Sequence, residues 1–380
     1  MKILSLFSGI GTFEKALENL DIEHELVGFS EIDKYAIESY SAIHGVNTDL
    51  NLGDVSKIKN EDTPKADLVT YGFPCQDISI AGNQAGIKEG TRSGLLYEAE
   101  RIINHIKPKF AIAENVKNLV SKRHREDFEK LLERLDNYGY NNYWEVLNAK
   151  DYGIPQNRER VFVVSIRKDI GTRDFKFPEP LNSGLRLKDL LEGEVEDKYY
   201  IESEKVNELV KGLKDNPTLG KTVCEQRTDE GLRFFKGEVV GTLRTIDSCG
   251  DKRVIEKPVK VVVREGTKKG YAIAKVGDSI DLEYPNSKTR RGRVGKEVAQ
   301  TLTTSCNQAT LQHDYKIRKL TPLECFRLMG FTDEDYWKAR KALEKEFYNG
   351  RDRSNSQMYK MAGNSIVVDV LEGILKNLIN

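Results

Sequence analysis

Cys75 stands in Gly72-Phe73-Pro74-Cys75-Gln76, directly after the apolar run DLVTYGF and ahead of a segment carrying Gly82, Gly86, Gly90 and Gly94. A lone cysteine is more often core packing than chemistry. At the carboxyl end of a buried strand, beside a glycine-rich loop, it is placed instead as a nucleophile. Glu114 ends the next apolar run, FAIAENV, and so brings a carboxyl group to the same sheet edge. In Gln156-Asn157-Arg158-Glu159-Arg160, just before RVFVVSIR, the two arginines alternate and share one side of an extended chain. There they could clamp a carboxylate, a carbonyl or a phosphate.

A second set of residues suggests a bound nucleoside. Phe7-Ser8-Gly9-Ile10-Gly11 closes an apolar run and opens a helical pattern, a turn that lets backbone approach a ligand closely. Glu31, at the end of HELVGFSEID, is placed to accept from ribose hydroxyls, and Asp54, in Gly53-Asp54-Val55, from an adenine amine. Thr12 and Phe13 break the full dinucleotide glycine pattern, so a ligand without phosphates is favoured.

These residues need a scaffold that gathers strand ends. Up to Arg167, short apolar runs (KILSLF, HELVGFSEID, DLVTYGF, FAIAENV, NYWEVLNA, RVFVVSIR) alternate with amphipathic stretches, the rhythm of an α/β domain with a doubly wound, mostly parallel, Rossmann-like sheet. From Asp169 the character changes to short β-like runs such as KPVKVVVRE and YAIAKV between Gly, Asp, Asn and Lys turns. The expected division is 1–168, 169–316 (smaller, β-rich) and 317–380, the last returning to the first. In that last part Thr321, Pro322 and Glu324 spell a helix start and Gly330 its stop, and GNSIVVDVLEGILKNLI reads as a turn and an apolar helix.

Composition sets the outer bounds. Of 380 residues 38% are hydrophobic and 32% charged, and no apolar run approaches the ~20 residues of a membrane helix. MKILSLFSGIG lacks a signal-peptide pattern, and five scattered cysteines (Cys75, Cys224, Cys249, Cys306, Cys325) fit neither a disulfide framework nor a paired zinc site. The expectation is a cytoplasmic protein with reduced thiols and no metal. Net charge is zero, so any attraction to phosphates must be local. One local patch, Lys288, Arg290, Arg291, Arg293 and Lys296, is a candidate DNA contact.

Taken in order, these motifs resemble the cytosine-5 DNA methyltransferases of bacterial restriction–modification systems and phages. The likeness runs through Phe7–Gly11, Pro74-Cys75-Gln76, Glu114-Asn115-Val116, Gln156-x-Arg158-x-Arg160, Arg318-x-Leu320-Thr321-Pro322-x-Glu324 with Arg327 and Gly330-Phe331, and Gly363-Asn364-Ser365. It covers residues 1–168 and 317–380; the segment between matches as a variable target-recognition region, with Thr301-Leu302 as a short signature. The resemblance implies methyl transfer from S-adenosylmethionine to C5 of a cytosine flipped from duplex DNA, through a covalent bond between Cys75 and C6. It implies Glu114 at N3 and the exocyclic amine, Arg160 near O2, and Arg158 supporting the site. Phe7, Gly9, Ile10 and Gly11 would surround the methionine end of the cofactor, Glu31 the ribose, and Ile32 and Asp54 the adenine. Pro74, Leu95, Asn364 and Ser365 would complete the pocket, while Gln76, Ser79 and Thr301 face DNA. A monomer is implied, with room for a cognate restriction endonuclease. The alternatives are a tRNA cytosine-5 methyltransferase, against which Gln76 argues, and a catalytically silent DNA-binding regulator, against which Cys75, Glu114 and Arg160 argue.

Overall fold

The computed structural model describes residues 1–74, 93–171, 174–181, 183–200, 222–227, 231–234, 252–255, 260–284, 287, 289–305, 307–312 and 317–379. Cys75, Gln76, Ser79 and Lys288 lie outside the described residues. The chain divides into two compact units, residues 1–190, 301–306 and 321–380 in one and residues 191–300 and 307–320 in the other.

The first unit is built on six strands, β1 (Lys2–Leu6), β2 (Glu25–Ser30), β3 (Leu68–Tyr71), β4 (Phe110–Val116), β5 (Tyr140–Asn148) and β7 (Glu159–Arg167); a two-residue strand, β6 (Gln156–Asn157), precedes the last. Their order is β2-β1-β3-β4-β7-β5. Strands β1 to β4 pair in parallel, whereas β7 is antiparallel to both β4 and β5. The reason is local. The link from β5 to β7 holds a short turn at Ala149–Asp151 and no crossover helix, so the chain can only come back reversed. The parallel strands are mostly apolar because helices cover them, as in β3, whose four residues are all buried.

Helices α1 (Thr12–Asn19), α2 (Lys34–His44), α3 (Leu96–Ile106) and α4 (Arg125–Asn137) follow β1 to β4. Leu96, Ile102 and Ile103 of α3 and Phe128 and Leu131 of α4 pack with Leu4, Val69 and Ala111 of the sheet in one core, each such side chain contributing about 1.5–3 kcal/mol by leaving water. The carboxyl-terminal part adds α5 (Pro322–Arg327), α6 (Asp333–Phe347), α7 (Asn355–Asn364) and α8 (Val368–Ile379). Helix α5 opens with the expected box, Thr321 and Glu324 bonding each other's backbone N–H, and Gly330 follows it in the left-handed region at φ 83°. A side chain at Gly330 would strike Asp369 and Val368, which is how closely α8 approaches as it returns to pack on α1. No described helix is long and apolar enough to cross a membrane.

The second unit is β-rich. A four-stranded antiparallel sheet runs Val294–Gly295, Ser279–Asp281, Gln308–Leu311, Ile317–Lys319. The runs KVVVR and YAIAK form a hairpin, Lys260–Arg264 against Tyr271–Lys275. Its Val261, Val263 and Ala274 share a small core with Ile280, Ala309 and Leu311. A three-stranded antiparallel sheet comprises Thr222–Arg227, Gly231–Phe234 and Lys252–Ile255.

Candidate active site

Because β2 lies on one side of β1 and β3 on the other, chain direction across the sheet reverses beside β1, and a crevice opens at the strand carboxyl ends. There the first unit holds a cavity of about 530 Å³, within the ~300–1,000 Å³ usual for small-molecule sites. Phe7, Gly9, Ile10, Glu31, Ile32, Asp54, Pro74, Leu95, Glu114, Arg158, Arg160, Asn364 and Ser365 all line it. Gly11 does not. Its φ is +79° and a Cβ there would lie 2.2 Å from the His44 ring, so this glycine serves the packing of α2 behind the turn.

The turn after β1 is held by its neighbour. Phe7, Gly9 and Gly11 all have positive φ, and the Gly9 N–H donates to Glu31 Oε2 at 2.9 Å. Glu31 Oε1 accepts from the N–H groups of Ile32 and Asp33. Burial pushes the Glu31 carboxyl above its ordinary range, while those three N–H bonds pull against it. Beside it Ile32 is 75% exposed, a large apolar side chain at the cavity rim. Asn51 was missed by sequence reading: its Oδ1 accepts from Glu31 N and Gly53 N, and its Nδ2 donates to Glu31 O. The signal was an asparagine two residues before Gly53-Asp54, the signature of a side chain bonding its own turn. Asp54 caps the turn at Val55–Lys57, taking both N–H and hydroxyl of Ser56, and those bonds hold its carboxyl below the usual range.

On the other side of the cavity, register explains the charged pair. Val116 of β4 faces Arg160 of β7, which leaves Glu114 diagonal to Arg160 on the same face. Arg160 Nε lies 2.9 Å from Glu114 Oε1, with the Glu114 side chain 12% exposed. Burial raises the Glu114 carboxyl above its ordinary value, outweighing the charges of Arg160 and Arg158. Asn115, on the opposite face, donates to Phe73 O and so pins the segment that leads to Cys75.

Arg158 has a different task from Arg160. Its guanidinium donates to Leu302 O at 3.1 Å, Gly363 O at 3.0 Å and Ser365 O at 2.6 Å. Its fork is occupied by backbone from two distant parts of the sequence, the arrangement of a residue that positions the cavity wall. Gln156 works beside it, bonding Leu328 O and Leu302 N, and Thr301 donates to Asn157 O. The Gly363 backbone sits so close to Thr303 that a Cβ would fall 2.6 Å from it. Asn364 is exposed at the cavity wall, and the Ser365 hydroxyl turns back to Met361 O.

The basic patch of the second unit also requires correction. Arg293 is 0% exposed, and its guanidinium donates to the carbonyls of Asp281, Glu283 and Tyr284. Arg290 pairs with Asp281 at 2.6 Å and Glu283 at 2.8 Å. Arg293 is thus enclosed, and the charge of the partly exposed Arg290 is shared by two acids. Between them Gly292, at φ +66°, turns the chain so that Arg291 points outward, exposed, with one bond to Gly266 O. Lys296 is exposed as well.

Comparisons with known proteins bear on the family and the fold. The family model for C-5 cytosine-specific DNA methylase matches residues 1–380. The chain is 35% identical to the orphan methyltransferase M.SPBetaI of Bacillus phage SPbeta, over all of this chain and 98% of that one. It is 30% identical to the type II methyltransferase M.HhaI of Haemophilus parahaemolyticus, over 100% and 94% of the two. In fold it is similar to the S. pombe Dnmt2 methyltransferase, with a TM-score of 0.58 at 18% identity over 100% of this chain and 98% of that one. The α/β sheet with its separate β-rich unit is thus a fold shared with known methyltransferases, and the chain belongs to the family of C-5 cytosine-specific DNA methylases.

Proposed function

We propose that this protein transfers the methyl group of S-adenosylmethionine to C5 of a cytosine flipped out of a specific duplex DNA sequence, with Cys75 as covalent nucleophile. One observation carries the reading: the buried Glu114–Arg160 pair opens into the same cavity as Pro74, one residue before the cysteine.

The cavity suits the cofactor. Glu31 Oε2 accepts one N–H and retains acceptor capacity for a ribose hydroxyl, and Ile32 offers an apolar face to a flat base. Asp54, whose Oδ1 is taken by Ser56, keeps Oδ2 as an acceptor for an amine, and the turn from Phe7 to Ile10 offers backbone to the amino-acid end. Of the four acids in the lining, the three outside the Glu114–Arg160 pair, Glu31, Asp33 and Asp54, favour a cationic, phosphate-free nucleoside. When bound, the cofactor supplies an electrophilic sulfonium methyl group.

Cytosine C5 is a weak nucleophile until the ring is activated. The Cys75 thiolate adds to C6, forming a carbon–sulfur bond and placing electron density on C5 as an enamine. Glu114, whose carboxyl burial pushes above its ordinary range, supplies a proton toward N3 and so offsets the charge that develops there. Arg160 orients Glu114 and faces O2. C5 takes the methyl group, its proton leaves to a base such as water, Cys75 departs with the carbon–sulfur bond electrons, and N3 returns its proton to Glu114, which regenerates the aromatic ring. We assign DNA recognition to the second unit, with Arg291 and Lys296 among its phosphate contacts.

Incubation with duplex DNA containing 5-fluorocytosine is the test. Fluorine cannot leave as the proton does, so wild type should be trapped covalently and Cys75→Ser should not. A trapped Cys75→Ser protein would overturn the nucleophile.

A further inference from the structure

Behind the cavity, on the face of the turn away from it, lies a group of ionisable side chains that the mechanism does not use. His44, the last residue of α2, is 3% exposed in its side chain. Its Nδ1 lies 2.6 Å from Glu18 Oε1 and its Nε2 lies 3.1 Å from the carbonyl oxygen of Ile10. Both neighbours are acceptors. A neutral imidazole has one N–H and one lone pair, so in either tautomer one of the two contacts would set lone pair against lone pair. With Glu18 ionised, only the imidazolium satisfies both.

The surroundings favour that charge. Glu14 of α1 is 2% exposed, and neither of its carboxylate oxygens has a hydrogen-bond partner among the described residues. Its charge and that of Glu18 act on His44; burial works to lower the imidazole, but the Glu18 bond, those two charges and the Ile10 carbonyl outweigh it and hold His44 above its usual range. Burial likewise works to raise Glu18, and His44 with Lys15 overcomes it, leaving Glu18 below its usual range. From α6, Asp335 holds Lys15 at 3.0 Å, and Lys338 adds its charge on the Glu18 side. From α2, the Tyr40 ring lies against His44 with its phenol kept protonated by burial and by Glu14. Gly11 is bound to the same arrangement, since any Cβ there would overlap the His44 ring.

We propose that His44 is a positioning residue of the cofactor turn: charged, with a proton on each ring nitrogen, it ties the Ile10 carbonyl to Glu18 and fixes the shape in which Phe7 to Ile10 meet the ligand. This rests on reading the cavity as a cofactor site. His44 contacts the turn from outside the cavity, so it acts through Ile10 and touches no reacting atom. Losing its second proton would break one of its two bonds, so cofactor affinity falls as pH rises through the His44 titration.

The test has two arms on the full chain. In the first, ¹⁵N signals of the His44 ring, assigned by their loss in His44→Gln, are followed against pH without cofactor. Both nitrogens should be protonated at pH 7, and a ring carrying one proton there would overturn the proposal. In the second, binding of S-adenosylmethionine is measured by calorimetry. His44→Leu should weaken it roughly tenfold or more, the loss of a charge-assisted hydrogen bond. His44→Gln, which keeps one donor with the reach of Nε2, should recover only part of the affinity lost in His44→Leu and lose the pH dependence of wild type. Unaltered binding by a folded His44→Leu protein would also overturn it. If wild type itself binds no S-adenosylmethionine, the cofactor reading falls, while the ring signals still decide the state of His44.

Discussion

The two units spend their arginines differently. In the first, β4 and β7 are long and paired over seven residues, so backbone hydrogen bonds alone fix where Arg160 falls, and its guanidinium is left to face Glu114 and the cavity. In the second, the strands around Arg293 are two to four residues long, and the turn from Asp281 to Tyr284 is held by the arginine itself. Cationic residues therefore report on chemistry where the scaffold stands without them, and on architecture where it does not. Arg158 lies between these cases, a buried clamp inside the better-built unit.

The sharpest way to break this comparison is to remove Glu114. Glu114→Gln should lower methyl transfer from labelled cofactor to duplex DNA by about 10²–10⁴-fold, with the urea midpoint little changed because the sheet holds its own geometry. A large loss of stability instead would mean that the first unit, too, leans on its ion pair. Next in size, Arg293→Met removes the donor shared by three turn carbonyls, of Asp281, Glu283 and Tyr284. A destabilisation of about 3 kcal/mol is expected, read as a lowered midpoint of urea unfolding, and a protein as stable as wild type would return Arg293 to the surface. The smallest effect belongs to Arg291→Ala with Lys296→Ala. Stability should move by less than about 0.5 kcal/mol, while the slope of log affinity for DNA against log salt should fall by about 0.9 for each phosphate that is no longer neutralised. An unchanged slope would remove both residues from the DNA interface.

How far the site was legible follows from the same physics. Glu114 and Glu31 were readable because a parallel strand ends at a predictable edge, and the residue after the apolar run is delivered there. The start of α5 was readable because capping is a matter of four neighbouring residues. The roles of Asn51, Arg158 and His44 were not, since each is defined by a partner far along the chain: Asn51 by Glu31, Arg158 by Leu302, Gly363 and Ser365, and His44 by Glu18 and Ile10. The basic patch was misread for a related reason. A run of arginines looks like one surface, but a single glycine in the left-handed region sends its neighbours to opposite sides.

By itself, then, the sequence determined which elements form and what stands at their ends, because strand periodicity, helix caps and glycine turns are set by near neighbours. It also carried the order of motifs that places the chain in its family. Only the tertiary structure decided which charged groups face the cavity and which are consumed in holding it. That depends on strand register and on the burial of each group beside partners distant in sequence, where losing water makes every unpaired charge costly.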